Sequence, residues 1–217
     1  MDLLMSLNAS RLNRIDRLLR VALLSSLVLL VTSQSAHAHL VTSGVGPFYD
    51  GMAHFFVTPE DLLVVVALSL FGGMSGKKVA KWVAVALPLA WLLGMLVGTH
   101  FSEASGVAPL IASITMLLSG LLLSASPQVS LRAMLPLVAV IGAVHGWLNG
   151  EAVASSGTSL LAGLGIVIAA AIVGLLLSAT SVRLTASWQR VALRVAGSWI
   201  AAIGLLAVAW QFRTLTP

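Results

Sequence analysis

Few residues in this chain can do acid, base or ligand chemistry, and most of them sit in two places. Residues 44–73 read GVGPFYDGMAHFFVTPEDLLVVVALSLFGG and carry Asp50, His54, Glu60 and Asp61. Imidazole and carboxylate donors this close together are the mixture that suits nickel, cobalt, zinc or manganese. The second place is 145–151, where His145 and Asn149 stand at i and i+4 and Glu151 follows. Between them, His100 and Glu103 stand at i and i+3 and share a face wherever the helix continues. An ionisable side chain inside an apolar span is costly and is a functional candidate by default. Plainer readings stand beside these. Either histidine can simply be hydrogen-bonded to a neighbour. Thr58-Pro59-Glu60-Asp61 reads as a helix start, with threonine as cap, proline in the first turn and acids at the positive end of the dipole.

The candidate metal ligands are therefore His54, Glu60, Asp61 and His145, with His100, Glu103 and Glu151 as secondary ones. His39 joins them only if it becomes the mature N-terminus, where amine and imidazole together chelate a transition metal. The chain has no cysteine, which excludes disulfides, thiolate metal sites and cysteine nucleophiles. It carries no GxxxxGK[ST] phosphate loop, no HExxH and no serine–histidine arrangement. An enzyme is not expected, nor is transport driven by the chain's own nucleotide hydrolysis.

The elements that must position these residues are membrane spans. The 217 residues are 59% hydrophobic and 9% charged, with a mean hydropathy of +1.03. A soluble domain carries about 25% charged residues, so lipid is the expected solvent. The fold class expected is all-α: an integral membrane bundle of six transmembrane helices after a cleavable signal peptide. The spans fall at about 56–74, 79–99, 106–125, 132–149, 158–180 and 191–212, each near the length a bilayer demands. Lys77, Lys78, Lys81, Arg132, Arg183, Arg190 and Arg194 all lie at one side, which the positive-inside rule makes cytoplasmic. That distribution also argues against nucleic acid as the partner of a chain with net charge +5. His39, His54, His100, His145 and the acids of residues 39–217 lie at the other side, suited to a cation arriving from the periplasm.

Residues 1–38 read as the signal peptide, with Arg11, Arg14, Arg17 and Arg20 ahead of a short apolar core, 21–31, and an Ala36-His37-Ala38 cleavage site. A retained anchor is the alternative, but that core is short for a span of about 20 residues. A bacterial inner membrane, with the mature N-terminus and the C-terminus both periplasmic, follows. A helix starting at Pro59 leaves a short first span. Phe48, Met52, Phe55 and Phe56 then predict an amphipathic interfacial or re-entrant piece before it. Gly142, Gly146 and Gly150, and likewise Gly94 and Gly98, recur every four residues and clear stripes for close helix packing. GLLLSAS at 120–126 and GLLLSAT at 174–180 form a weak repeat, open to three hairpins or to chance.

The chain resembles the HupE/UreJ proteins, small membrane proteins of hydrogenase and urease gene clusters. The resemblance rests on the leader, on Gly51-Met52-Ala53-His54 ahead of span one, on the acids that open that span, and on His145-Gly146 in span four. His54 matches the family's first histidine, with Phe55 where proline is typical. Glu60 or Asp61 matches its aspartate, and the second histidine of that motif is missing. His145, Gly146 and Gly150 match the second motif, Trp147 and Asn149 stand where histidines are usual, and Glu151 stands near its acid. The resemblance implies a divalent-metal permease, with nickel or cobalt as cargo rather than as resident cofactor. The alternative is a non-transporting accessory or scaffold protein packed against another membrane protein. A partner in metalloenzyme maturation is implied by the family alone.

Overall fold

The computed structural model describes residues 44–101 and 106–215, all within one compact unit, Leu40–Pro217. The expected leader, 1–38, and His39 lie outside the described residues. Among the described residues the chain is helical, with no strand. Seven helices follow in order: α1 Pro47–Val57, α2 Pro59–Met74, α3 Lys77–Gly98, α4 Ala108–Ala125, α5 Leu131–Ser155, α6 Leu160–Ser181 and α7 Ser187–Leu215. Helices α3 to α7 are each long and apolar enough to cross a membrane, and α1 and α2 pass the same test only when taken together, across a bend of 73°. The protein is a multi-pass all-α membrane bundle.

The break is written locally. Pro59 removes an amide from the helix ladder and pushes Thr58 out of helical geometry, to φ −97° and ψ 98°. One expectation is corrected here: the Thr58 side chain makes no cap bond to α2. Its hydroxyl instead donates back to the carbonyl of His54 at 2.8 Å, holding the last turn of α1. Pro88 and Pro136 sit inside α3 and α5 without ending them, as helices supported by packed neighbours in a membrane allow. The Ser75–Gly76 turn between α2 and α3 needs φ +112° at Gly76, a conformation that glycine reaches without strain.

Glycine seams decide which helices touch. Without a hydrophobic force between helices in lipid, close van der Waals approach drives association, and it requires small residues. A Cβ at Gly94 would overlap the backbone of Ala143, one at Gly98 the backbone of Trp147, and one at Gly146 the backbone of Trp91. Gly142 faces Leu87, and Gly150 faces Met95. Residue numbers rise together along this seam, so α3 and α5 run parallel. In the α4–α7 seam Gly120 meets Ala201, Gly197 meets Ser124 and Gly204 meets Leu117, so those two helices run antiparallel. Gly51 of α1 lies on Ala162 of α6, and Gly165 on Phe48. These backbone approaches all join helices that are not consecutive, so the bundle is not three side-by-side hairpins.

Helix α2 is the enclosed element: Val64, Val65, Ala67, Leu68, Ser69, Leu70 and Phe71 are all buried. Many large apolar side chains elsewhere are exposed, Trp188, Trp199, Leu206 and Trp210 of α7 among them. The topology puts Lys77, Lys78, Lys81, Arg132, Arg183, Arg190 and Arg194 at one end of the bundle, here the basic end. The acids and histidines lie toward the other.

Candidate functional site

Breaking the first span brings the N-terminus of α2 into the protein. Ser69 of α2 lies against Gly174 of α6, and these helices run parallel, so Asp61 is level with Ile166. That is about 9 Å inside the start of α6 at 1.5 Å per residue. A carboxylate there sits in the first turn of α2, at the positive end of its dipole. It does not face water: Asp61 is 4% exposed. Its Oδ1 lies 2.7 Å from Nδ1 of His145, and its Oδ2 accepts from Asn149 Nδ2 at 2.9 Å. The i, i+4 spacing of His145 and Asn149 on α5 sets both on one face, and Asn149 also donates to the His145 carbonyl at 2.8 Å.

The far side of the imidazole is held by α4. Nε2 of His145 lies 2.7 Å from the Thr115 hydroxyl, which itself donates to the Ala112 carbonyl at 2.8 Å. A hydroxyl has one proton to give. With that proton on the carbonyl, Thr115 accepts from Nε2–H. One further proton then lies between Nδ1 and Oδ1, on either atom. Both imidazole nitrogens are thus engaged and the ring, fully buried, is fixed. Trp91 of α3 packs against it with centroids 5.2 Å apart, and Phe55 of α1 meets Trp91 edge-on at 6.4 Å. Two polar atoms here are unspent: Oδ1 of Asn149 and Nε1 of Trp91 are buried with no hydrogen-bond partner among the described residues. Carboxylate, imidazole and amide oxygen together are a donor set that suits a borderline divalent cation.

The structure joins only part of the expected ligand set. Asp61 and His145, 84 positions apart, are in contact. Glu60 is half-buried and His54 is buried, its Nε2 3.4 Å from the Thr58 hydroxyl. Among the described residues no three His, Cys, Asp or Glu side chains converge, so the four-residue site is not assembled in this conformation. The physical reason is angular: Glu60 and Asp61 are about 100° apart around α2, and His54 belongs to the other side of the bend. Helix α3 stops at Gly98, so His100 sits exposed in a turn and the helical face expected for it and Glu103 is not continued. Glu103 lies outside the described residues. Span four reaches farther than expected, to Ser155, and Glu151 is buried within it.

Two contributors were not among the expected ligands. Asn149 was visible through its spacing from His145. Thr115 had only a weak signal, a hydroxyl in the middle of an apolar span, shared with Ser113 and Ser119.

The HupE / UreJ protein family model matches residues 27–207. The chain belongs to the HupE/UreJ family. That membership carries a membrane role connected with metals, as an accessory or transport protein rather than an enzyme. No curated protein and no solved structure matches the chain. In this HupE/UreJ protein the two motif regions are brought together in the fold. Asp61 opens α2, His145 and Asn149 lie on α5, and the glycines between them serve the α3–α5 seam.

Proposed function

We propose that this HupE/UreJ protein is a divalent-metal permease of a bacterial inner membrane, moving nickel or cobalt inward from the periplasm. The Asp61–His145 pair carries the reading. A buried carboxylate bonded to a buried imidazole is costly in a bilayer, and α2 is broken at the place that delivers Asp61 to it. Asp61, His145 and Asn149 would hold the ion, and His54 and Glu60 would pass it inward from the acidic end. A hydrogen bond between Nδ1 and Oδ1 requires a proton between them, and an ion binding there displaces it. The periplasmic placement of the acidic end rests on the basic residues at the opposite end.

The test is nickel and cobalt accumulation in cells lacking other importers, for the native protein and for Asp61→Asn, His145→Ala and His54→Ala. Loss of uptake in the first two at unchanged membrane abundance is expected. Unchanged uptake in both removes the ligand assignment. No uptake by the well-expressed native protein favours the accessory reading.

A further inference from the structure

Ser69 lies eight residues beyond Asp61 along α2, about 12 Å closer to the basic end at the helical rise. Ser69 is 0% exposed and Ser178 of α6 2% exposed, and neither hydroxyl has a hydrogen-bond partner among the described residues. This is unusual for serine in a helix. Ser113, Ser119 and Thr180 satisfy their hydroxyls on carbonyls of the preceding turn, the ordinary local solution. Ser69 instead turns across the helix interface: a Cβ built on Gly174 of α6 would lie 3.3 Å from its oxygen. One turn on, Gly73 of α2 packs on Ser181, whose hydroxyl donates to the Ser178 carbonyl at 3.2 Å. Gly73 and Gly174 let the two helices approach closely here, and the buried Ser69 and Ser181 hydroxyls lie in that seam.

We infer that the α2–α6 seam at Ser69 and Ser178 is a relay site for a hydrated cation, the inner leg of a path that begins at Asp61. The inference rests on the permease reading for its cargo, though not for its geometry. Buried hydroxyls left unbonded lose free energy unless water or an ion meets them. Neutral oxygens suit a station of passage, because they coordinate a cation without the retention a second carboxylate would impose. Helices α2 and α6 run parallel, so both present their negative dipole ends at the basic end and favour a cation moving that way.

The native chain has no cysteine, so single-cysteine variants give a clean readout. Ser69→Cys and Ser178→Cys change little in volume. Ser75→Cys, half-buried in the turn at the basic end, is the reachable control, and Leu68→Cys, fully buried beside Ser69, is the dry control. Each full-length variant in native membranes is exposed to silver ion. Thiols that remain are then counted with a fluorescent maleimide after denaturation. Both serine positions are expected to react within about tenfold of the Ser75→Cys rate, and Leu68→Cys about a hundredfold slower, because the reacting thiolate needs a hydrated, polar surrounding. Serine positions that react no faster than Leu68→Cys overturn the relay and leave a packing seam. This outcome is independent of metal uptake: a native protein that accumulates no nickel or cobalt ends the permease reading, while silver access still decides the seam.

Discussion

Removing Asp61 and His145 singly and together measures the bond that joins α2 to α5. The variants Asp61→Ala, His145→Ala and the double variant form a thermodynamic cycle whose residual is the pair's coupling. Interhelical hydrogen bonds in a membrane protein average about 0.6 kcal/mol and reach about 1.7. The observed geometry points to the upper part of that range. The atoms are 2.7 Å apart and the side chains are 0% and 5% exposed. The expected coupling is about 1.5 kcal/mol, roughly tenfold in the unfolding equilibrium. The single losses are unequal. Asp61→Ala strands two buried polar atoms, His145 Nδ1 and Asn149 Nδ2, at about 1–3 kcal/mol each. His145→Ala leaves Asp61 its bond from Asn149 and Thr115 its bond to Ala112, and costs less at that network. Reversible unfolding in mixed micelles, followed by tryptophan fluorescence, is the assay. Trp91 lies against His145 and reports the site directly. A coupling below about 0.5 kcal/mol would refute the bond.

Thr115→Val keeps the shape but removes the acceptor of His145 Nε2; it should destabilise the fold by about 1 kcal/mol and lower uptake, and Thr115→Ser should restore both. Gly146→Ala puts a methyl onto the backbone of Trp91. The α3–α5 seam must open, at a cost of about 1–3 kcal/mol, seen as a lower unfolding midpoint, whereas Gly106→Ala, with open space around it, should be neutral. In the cysteine-free chain, Ser75→Cys should be labelled by an impermeant maleimide only from the cytoplasm and Ser156→Cys only from the periplasm; the reverse pattern overturns the proposed orientation.

Much of this was legible in residue order alone. Apolar runs of membrane length and a one-sided set of basic residues sufficed for a multi-span helical bundle with chemically different ends. Thr58-Pro59 marked the break in the first span, because proline constrains its predecessor wherever it occurs. The four-residue repeats of glycine marked the faces that pack closely. All of these are local properties, set by backbone sterics or by the transfer of a side chain between water and lipid.

Partners were not legible, because helical periodicity says which face a residue occupies but not which helix meets that face. The close seams join α3 to α5, α4 to α7 and α1 to α6, none of them consecutive. Only that arrangement sets Asp61 beside His145 and turns Thr115 toward the imidazole from 30 positions away. The same packing separates Glu60 from Asp61, although they are neighbours in the chain, since one peptide step turns a helix by about 100°. Asp61 could be read in the sequence as a helix-start residue. The tertiary structure made it the centre of a buried polar network, because bending the span at Thr58 carried the start of α2 about 9 Å into the protein, where a carboxylate must find hydrogen-bond donors from other helices.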